Sequence, residues 1–144
     1  MKRIICIGNR YLPEDAAGYL VYQHLIQRKL PKEVEVFDGG LAGLDLLRWV
    51  ENMERVVFVD TISGFGAESE ILLLKKEEIS VLAGKNFDHA SGLPYLLRVL
   101  PDTCDGQIPE VSLIGIEGIP DCDTVKKAAL LALKVVMGLQ ERSA

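Results

Sequence analysis

The feature that most constrains the fold is an alternation of short apolar runs with amphipathic stretches. Four mostly apolar runs, each closed by a polar or glycine-containing turn, occupy residues 4–7, 34–37, 56–59 and 111–116. Runs that are apolar on both faces are typical of parallel strands buried beneath helices, whereas a half-exposed strand would alternate polar and apolar residues. The sequence therefore predicts four parallel strands.

Helical patterns occupy the intervals between these runs. They span residues 17–29, 44–53 and 124–140, with shorter candidates at 77–82 and 91–100. Strands that alternate with helices indicate right-handed βαβ crossovers and a sheet covered on both faces.

A fifth strand is predicted at residues 70–75, which begin only ten positions after Asp60. A parallel crossover usually needs a dozen residues or more, so we expect this strand to pair antiparallel at the sheet edge. A chain of 144 residues is long enough for one core but too short for several. The prediction is an α/β fold in which residues 1–144 form a single three-layer domain, with a mostly parallel, five-stranded twisted sheet and helices on both faces.

The net charge and the cysteine content exclude several classes of function and location. Sixteen Lys and Arg residues against 21 Asp and Glu residues give a net charge of -5, which does not provide the positive field that nucleic-acid binding requires. Three dispersed cysteines do not form a disulfide framework, so a reducing cytoplasm is expected. The first apolar run is too short for a signal peptide or a membrane span, and no membrane association is expected.

Several ionisable residues fall at the predicted carboxyl ends of strands, where ligands bind in open α/β sheets. These residues are Glu14, Asp15, Asp38, Asp60 and His89. Carboxylates grouped with an imidazole repel one another unless they are protonated, paired with cations or bridged by a metal. Carboxylate oxygens and an imidazole nitrogen suit Zn²⁺ or Ni²⁺ with one position left open.

Each of these residues also has a purely structural interpretation. Asp15 precedes a predicted helix and could cap it. Asp60 could begin an Asx turn, and Asp38 precedes Gly39 in a dipeptide that forms turns by itself. His89 could cap a helix that follows it. The sequence contains no HExxH motif and no paired CxxC motif, so spacing alone does not select among these interpretations.

Four fragments, taken in order, resemble the hydrogenase maturation endopeptidase family. They are Gly8-Asn9 followed by Glu14-Asp15-Ala16-Ala17-Gly18, then Asp38-Gly39-Gly40-Leu41-Ala42-Gly43, then Val57-Phe58-Val59-Asp60, and finally Asp88-His89 followed by Gly92-Leu93. The resemblance implies an α/β fold with a five-stranded twisted sheet. It also implies an endopeptidase that removes the C-terminal extension of a [NiFe] hydrogenase large-subunit precursor after nickel insertion.

The resemblance also assigns residues. Asp15, Asp60 and His89 correspond to the family's metal ligands, with Asp15 and Asp60 expected to be catalytic as well. The metal would be the nickel of the substrate, for which Zn or Cd could act as a surrogate. The glycine-rich segment that begins with Asp38, Gly39 and Gly40 is expected to contact the substrate tail.

The sequence departs from the family pattern at two places. Ala16-Ala17 separates the acid pair from Gly18, and the segment Gly115-Ile116-Glu117-Gly118 lacks the proline found there in the family.

Two other functions remain open at this point. The first is a non-catalytic module that uses the same residues to sense metal or to bind a hydrogenase subunit. The second is a peptidyl-tRNA hydrolase-like enzyme, a family that also places Gly-Asn after its first strand. That second function predicts a basic cleft, which the net charge of -5 does not favour.

Overall fold

The computed structural model describes residues 1–40, 47–62, 71–81 and 109–139. Within these ranges five strands form one sheet. They are β1 (Lys2–Ile7), β2 (Val34–Gly40), β3 (Arg55–Ile62), β4 (Ile71–Lys75) and β5 (Glu110–Glu117). The strand order is β2-β1-β3-β5-β4. Strands β2, β1, β3 and β5 are mutually parallel, and β4 pairs antiparallel with β5 at the edge. The predicted sheet, including its antiparallel edge strand, is confirmed.

Helices cover both faces of this sheet. The described helices are α1 (Ala17–Ile26), α2 (Leu47–Val50), α3 (Lys76–Val81) and α4 (Cys122–Val136), with a 3-10 turn at Pro13–Asp15. Helices α1 and α4 pack together over one face, where Leu25 and Ala128 are completely buried. Helices α2 and α3 contribute Val50 and Ile79 to the core on the other face. The predicted three-layer α/β architecture is confirmed.

Strand β3 lies at the centre of the sheet because both of its faces are apolar. Phe58 belongs to the core beneath α2 and α3, while Val57 and Val59 belong to the core beneath α1 and α4. All three side chains are fully buried. Burying a side chain of this size stabilises the folded protein by about 1.5 to 3 kcal/mol. The apolar residues from which β3 was predicted therefore also stabilise it in the sheet.

The helices differ in extent from the predicted ranges. Helix α1 ends at Ile26 rather than at residue 29, because the residues that follow are exposed and contribute nothing to the core. Helix α4 begins at Cys122, two residues earlier than predicted, because Asp121 caps it by accepting a hydrogen bond from the Thr124 amide at 2.8 Å. It ends at Val136 rather than at residue 140, just before Gly138, whose φ of 75° is incompatible with a continuing helix.

Two of the shorter helices also differ from their predicted ranges, and one is untested. Helix α2 ends at Val50 rather than at residue 53, since Asn52 adopts a φ of 63°. Helix α3 begins at Lys76, one residue earlier than predicted. The predicted helix at 91–100 lies outside the described residues. None of the helices in the described ranges has the length and apolar character needed to cross a membrane.

Strands β2 and β3 continue past the polar residues that were predicted to close them. Asp38, Gly39 and Gly40 belong to β2, and Asp60 lies within β3. The prediction that these acids terminate their strands is therefore wrong. In β3 the pairing continues beyond Asp60, since Thr61 lies opposite Ile116 of β5 and Ile62 lies opposite Glu117.

Candidate functional site

The loop after β1 folds back on the 3-10 turn and fixes the position of Asp15. The Asn9 amide donates a hydrogen bond to Asp15 Oδ2 at 3.1 Å, and Asn9 Oδ1 accepts one from the Tyr11 amide at 2.9 Å. Gly8 has a φ of 137°, and a Cβ at this position would collide with the Asp15 carbonyl oxygen. A glycine is therefore required where the chain leaves β1.

Asp15 does not cap α1, so the interpretation of this residue as a helix cap is wrong. The cap position is held by Ala16, which has no capping side chain. Asp15 instead lies in the preceding 3-10 turn, where its carboxylate accepts the Asn9 amide. It is partly buried, whereas the neighbouring Glu14 is exposed. The carboxylate is thus held at the carboxyl end of β1.

Asp60 is a completely buried carboxyl group in the central strand. Burial raises its pKa well above the ordinary value of 3.8, and the negative charge of Asp15 raises it further, against the opposing effect of a hydrogen bond from the Thr61 amide. That amide donates to Asp60 Oδ1 at 2.7 Å within the strand, so the bond does not form an Asx turn. The structure thus brings Asp15 and Asp60 close enough for their charges to interact.

The first turn of α1 lies directly against the ends of β1 and β3. A Cβ added at Gly18 would meet the carbonyl oxygens of Ile7 and Val59, the latter at 2.9 Å. Both contacts are with backbone atoms, which cannot move aside as a flexible side chain can. Gly18 therefore sets how closely α1 approaches the two strands that lead to Asp15 and Asp60.

The end of β2 carries the residues expected to contact substrate. The β1–β2 register skips one residue, since Cys6 lies opposite Asp38 and Ile7 opposite Gly40. Asp38 Oδ1 accepts a hydrogen bond from the Gly40 amide at 3.2 Å, the local bond that the turn interpretation expected. The Gly8 amide also donates to the Gly40 carbonyl at 2.9 Å, which ties the two strand ends together.

A groove of about 260 Å³ opens between these two strand ends. It is lined by Gly8, Asn9, Arg10, Tyr11, Asp38, Gly39 and Gly40. The three residues predicted to contact substrate therefore line a depression beside the loop that holds Asp15. Sequence reasoning did not single out Arg10 and Tyr11, although both follow Gly8-Asn9 directly.

The predicted metal ligands are only partly described. Asp15 and Asp60 come together, while His89 lies outside the described residues. Among the side chains that the structure describes, no three His, Cys, Asp or Glu residues form a group that could hold a metal ion. The described part of the chain thus supplies two carboxylates, which are suitable oxygen donors for a divalent cation.

Comparison with known proteins identifies relatives of this chain. A family model described as hydrogenase maturation protease matches residues 20–129, a range that includes Asp60 and His89 and begins after Asp15. The chain is 33% identical over 117 residues to the hydrogenase 2 maturation protease of Escherichia coli K12, covering 78% of this chain and 70% of that protein. It is 29% identical over 146 aligned positions to a putative hydrogenase maturation protease of Methanocaldococcus jannaschii, covering 94% and 93%.

A solved structure shows the same fold. The hydrogenase maturating endopeptidase HybD from E. coli superimposes with a TM-score of 0.76 at 29% sequence identity, and the match covers 96% of this chain and 91% of that one.

Proposed function

The chain belongs to the hydrogenase maturation protease family, and from that premise we propose that it removes the C-terminal extension of a nickel-loaded [NiFe] hydrogenase large-subunit precursor. The observation that carries the proposal is that Asp15 lies near enough to the buried Asp60, at the carboxyl ends of β1 and β3, to raise the pKa of Asp60. The groove beside them supplies room for an extended peptide.

Nickel held by the substrate is the cation that we propose these acids recognise, together with His89. Two nearby carboxylates, one of them buried, destabilise each other when both are ionised, and a divalent cation relieves that repulsion. Carboxylate oxygens and an imidazole nitrogen are donors that Ni²⁺ accepts. A precursor without nickel would not relieve this repulsion, so recognition of the metal would restrict cleavage to the loaded precursor.

Asp15 and Asp60 are also the residues that we propose carry the hydrolysis. The pKa of Asp60 lies above its ordinary range, so this carboxyl group can take up a proton closer to neutral pH, which suits a general base. In the proposed step a water oxygen bonds to the scissile carbonyl carbon and its proton moves to a carboxylate. The peptide C–N bond then breaks, and that proton passes to the departing amine.

The substrate tail is proposed to lie in the groove against Asp38, Gly39 and Gly40. A Cβ placed on Gly40 would meet no atom of the described residues within 4 Å, so those residues leave space beside this backbone. Small residues at a strand end let a second backbone approach closely, as in peptides that bind along an exposed strand.

The test is the mass of the precursor after incubation with the purified protein. We expect the nickel-loaded precursor to lose its tail and the nickel-free precursor to remain intact. Asp15→Asn, Asp60→Asn and His89→Ala should each abolish tail removal. The matched control is Asp123→Asn, since that exposed carboxylate lies on α4 outside the proposed site.

Three results would contradict parts of the proposal. Full activity in any two of the site variants would remove the residue assignment. Equal cleavage of the loaded and unloaded precursors would remove nickel recognition. Stable association with the precursor without any loss of mass would instead support a non-catalytic binding module.

A further inference from the structure

Among the described residues that line the groove, Arg10 carries a positive charge, and two aromatic rings hold it. Its Cζ atom lies 5.4 Å from the ring centroid of Tyr11 and 4.9 Å from that of Tyr19. Both distances fall within the range of a cation–π interaction, about 6 Å. Tyr19 is itself restrained, because it stacks on Tyr22 and its hydroxyl accepts a hydrogen bond from Gln23 Nε2 at 3.2 Å.

The backbone that carries Arg10 is also fixed. The residues on either side of it are tied down, since the Asn9 amide is bound to Asp15 and the Tyr11 amide to Asn9. The Leu12 amide closes the same turn by donating to the Asn9 carbonyl at 3.1 Å. Arg10 is therefore presented to the groove by a short, hydrogen-bonded loop.

The charge of Arg10 is not neutralised by an ion pair within the described ranges. Two of the other described arginines form ion pairs, Arg3 with Glu35 at 2.7 Å and Arg55 with Glu110 at 2.9 Å, whereas no ion pair of the described side chains includes Arg10. Hydrogen bonds to the Tyr11 and Tyr19 side chains engage part of the guanidinium, and its five N–H donors leave others for a ligand. Those donors match the two oxygens of a carboxylate.

Because the chain is acidic overall, a positively charged side chain in the groove matters for binding an acidic peptide. At -5 the protein repels an acidic peptide overall, so a carboxylate could enter the groove only beside a local positive charge. Asp38 lines the same groove and would disfavour a second carboxylate near β2. A bound carboxylate would therefore lie at the Arg10 end.

We propose that Arg10, held by Tyr11 and Tyr19 at the wall of the groove, binds a carboxylate of the substrate's C-terminal tail. The carboxylate belongs either to an Asp or Glu side chain of the tail or to the chain terminus. This inference rests on the proposed protease function. Arg10 selects and positions the substrate, and takes no part in breaking the peptide bond.

The test is the rate of tail removal at increasing concentrations of nickel-loaded precursor. Arg10→Gln should raise KM about tenfold and leave kcat within about twofold, because it removes a charge-assisted contact made before and during the reaction alike. Arg10→Lys keeps the positive charge but lacks the paired N–H donors of the guanidinium, so its KM should lie between those of the wild type and Arg10→Gln. The matched control is Arg28→Gln, an exposed arginine that does not line the groove and should leave both constants unchanged.

Two altered precursors identify the source of the carboxylate. In the first, each acidic residue of the tail is replaced by its amide, and in the second the tail ends in a carboxamide. The change that raises KM for the wild-type protein but not for Arg10→Gln marks the bound group. If a side chain is bound, replacing it with Lys should restore a low KM in Arg10→Glu.

The proposal that Arg10 binds a tail carboxylate is overturned by any of three results. Arg10→Gln could keep the wild-type KM, it could lower only kcat, or neither altered tail could change the KM of the wild-type protein. In each case the wild-type protein still shortens the precursor, so the proposed function survives. A wild-type protein that never shortens the precursor would overturn both proposals.

Discussion

Replacing Asp60 with Asn tests the electrostatic cost of the proposed site directly. The carboxyl group is completely buried, and Asn has nearly the same shape. The amide oxygen of Asn can still accept the hydrogen bond that the Thr61 amide donates at 2.7 Å. The substitution therefore removes a titratable group while keeping the shape of the side chain and the hydrogen bond from Thr61, and a pH-dependent change in stability reports on the charge.

The sign follows from proton binding in the two states. Because the folded pKa of Asp60 is raised, the folded protein retains a proton at pH values where the unfolded chain has lost it. Unfolding then releases a proton, and the free energy of unfolding of the wild-type protein falls as pH rises from about 3.8 towards the folded pKa. Above the folded pKa of Asp60, both states have lost the proton, and the free energy of unfolding no longer changes with pH through this group.

The magnitude has an upper bound. Each pH unit between the unfolded and folded pKa values corresponds to about 1.4 kcal/mol. Between 3.8 and pH 7 lie 3.2 units, so Asp60→Asn can be more stable than wild type at pH 7 by at most about 4 to 5 kcal/mol. Below pH 4 both proteins carry a neutral side chain at this position, and the advantage should vanish.

The assay is urea unfolding of both proteins at pH 4, 5.5 and 7. The matched control is Asp123→Asn, whose wild-type side chain is 71% exposed and pairs with Lys127 at 3.1 Å. This control loses an exposed ion pair and should be slightly less stable at pH 7, by up to about 1 kcal/mol. A wild-type protein that is more stable than Asp60→Asn at pH 7, or a difference that does not vary with pH, would refute the reasoning.

Two further predictions concern packing around the same strands. Gly18→Ala should lower the free energy of unfolding, measured in urea, by about 1 to 3 kcal/mol. The reason is that the added methyl group meets the backbone oxygens of Ile7 and Val59. Unchanged stability would contradict the close approach of α1 to β1 and β3. In native protein treated with iodoacetamide, Cys122 should be alkylated and Cys6 should not, since burial raises the pKa of the Cys6 thiol. Peptide mapping by mass spectrometry reads both sites, and modification of Cys6 at the rate of Cys122 would show that β1 is accessible.

The sheet could be predicted because its determinants are local. Strands buried on both faces require apolar runs, and those runs are visible in the sequence without knowledge of their partners. The antiparallel edge strand followed from the short distance between Asp60 and residues 70–75, which leaves too little chain for a crossover. The ends of the strands were harder to predict, because β3 continues to Ile62 through pairing with β5, whose Glu117 lies 55 positions further along the chain.

The candidate site shows the same division between local and distant determinants. The capping rule offered a structural alternative for Asp15, but the carboxylate instead accepts a hydrogen bond from the Asn9 amide, whose position depends on the left-handed φ of Gly8. The raised pKa of Asp60 arises from layers of packing on both sides of β3 and from a charge on another element, neither of which a short segment reveals. Arg10 gains its place from Tyr19, on the following helix. Sequence patterns thus identified which acids lie near the carboxyl end of which strand, whereas the interactions that make those acids a site come from segments that only the fold brings together.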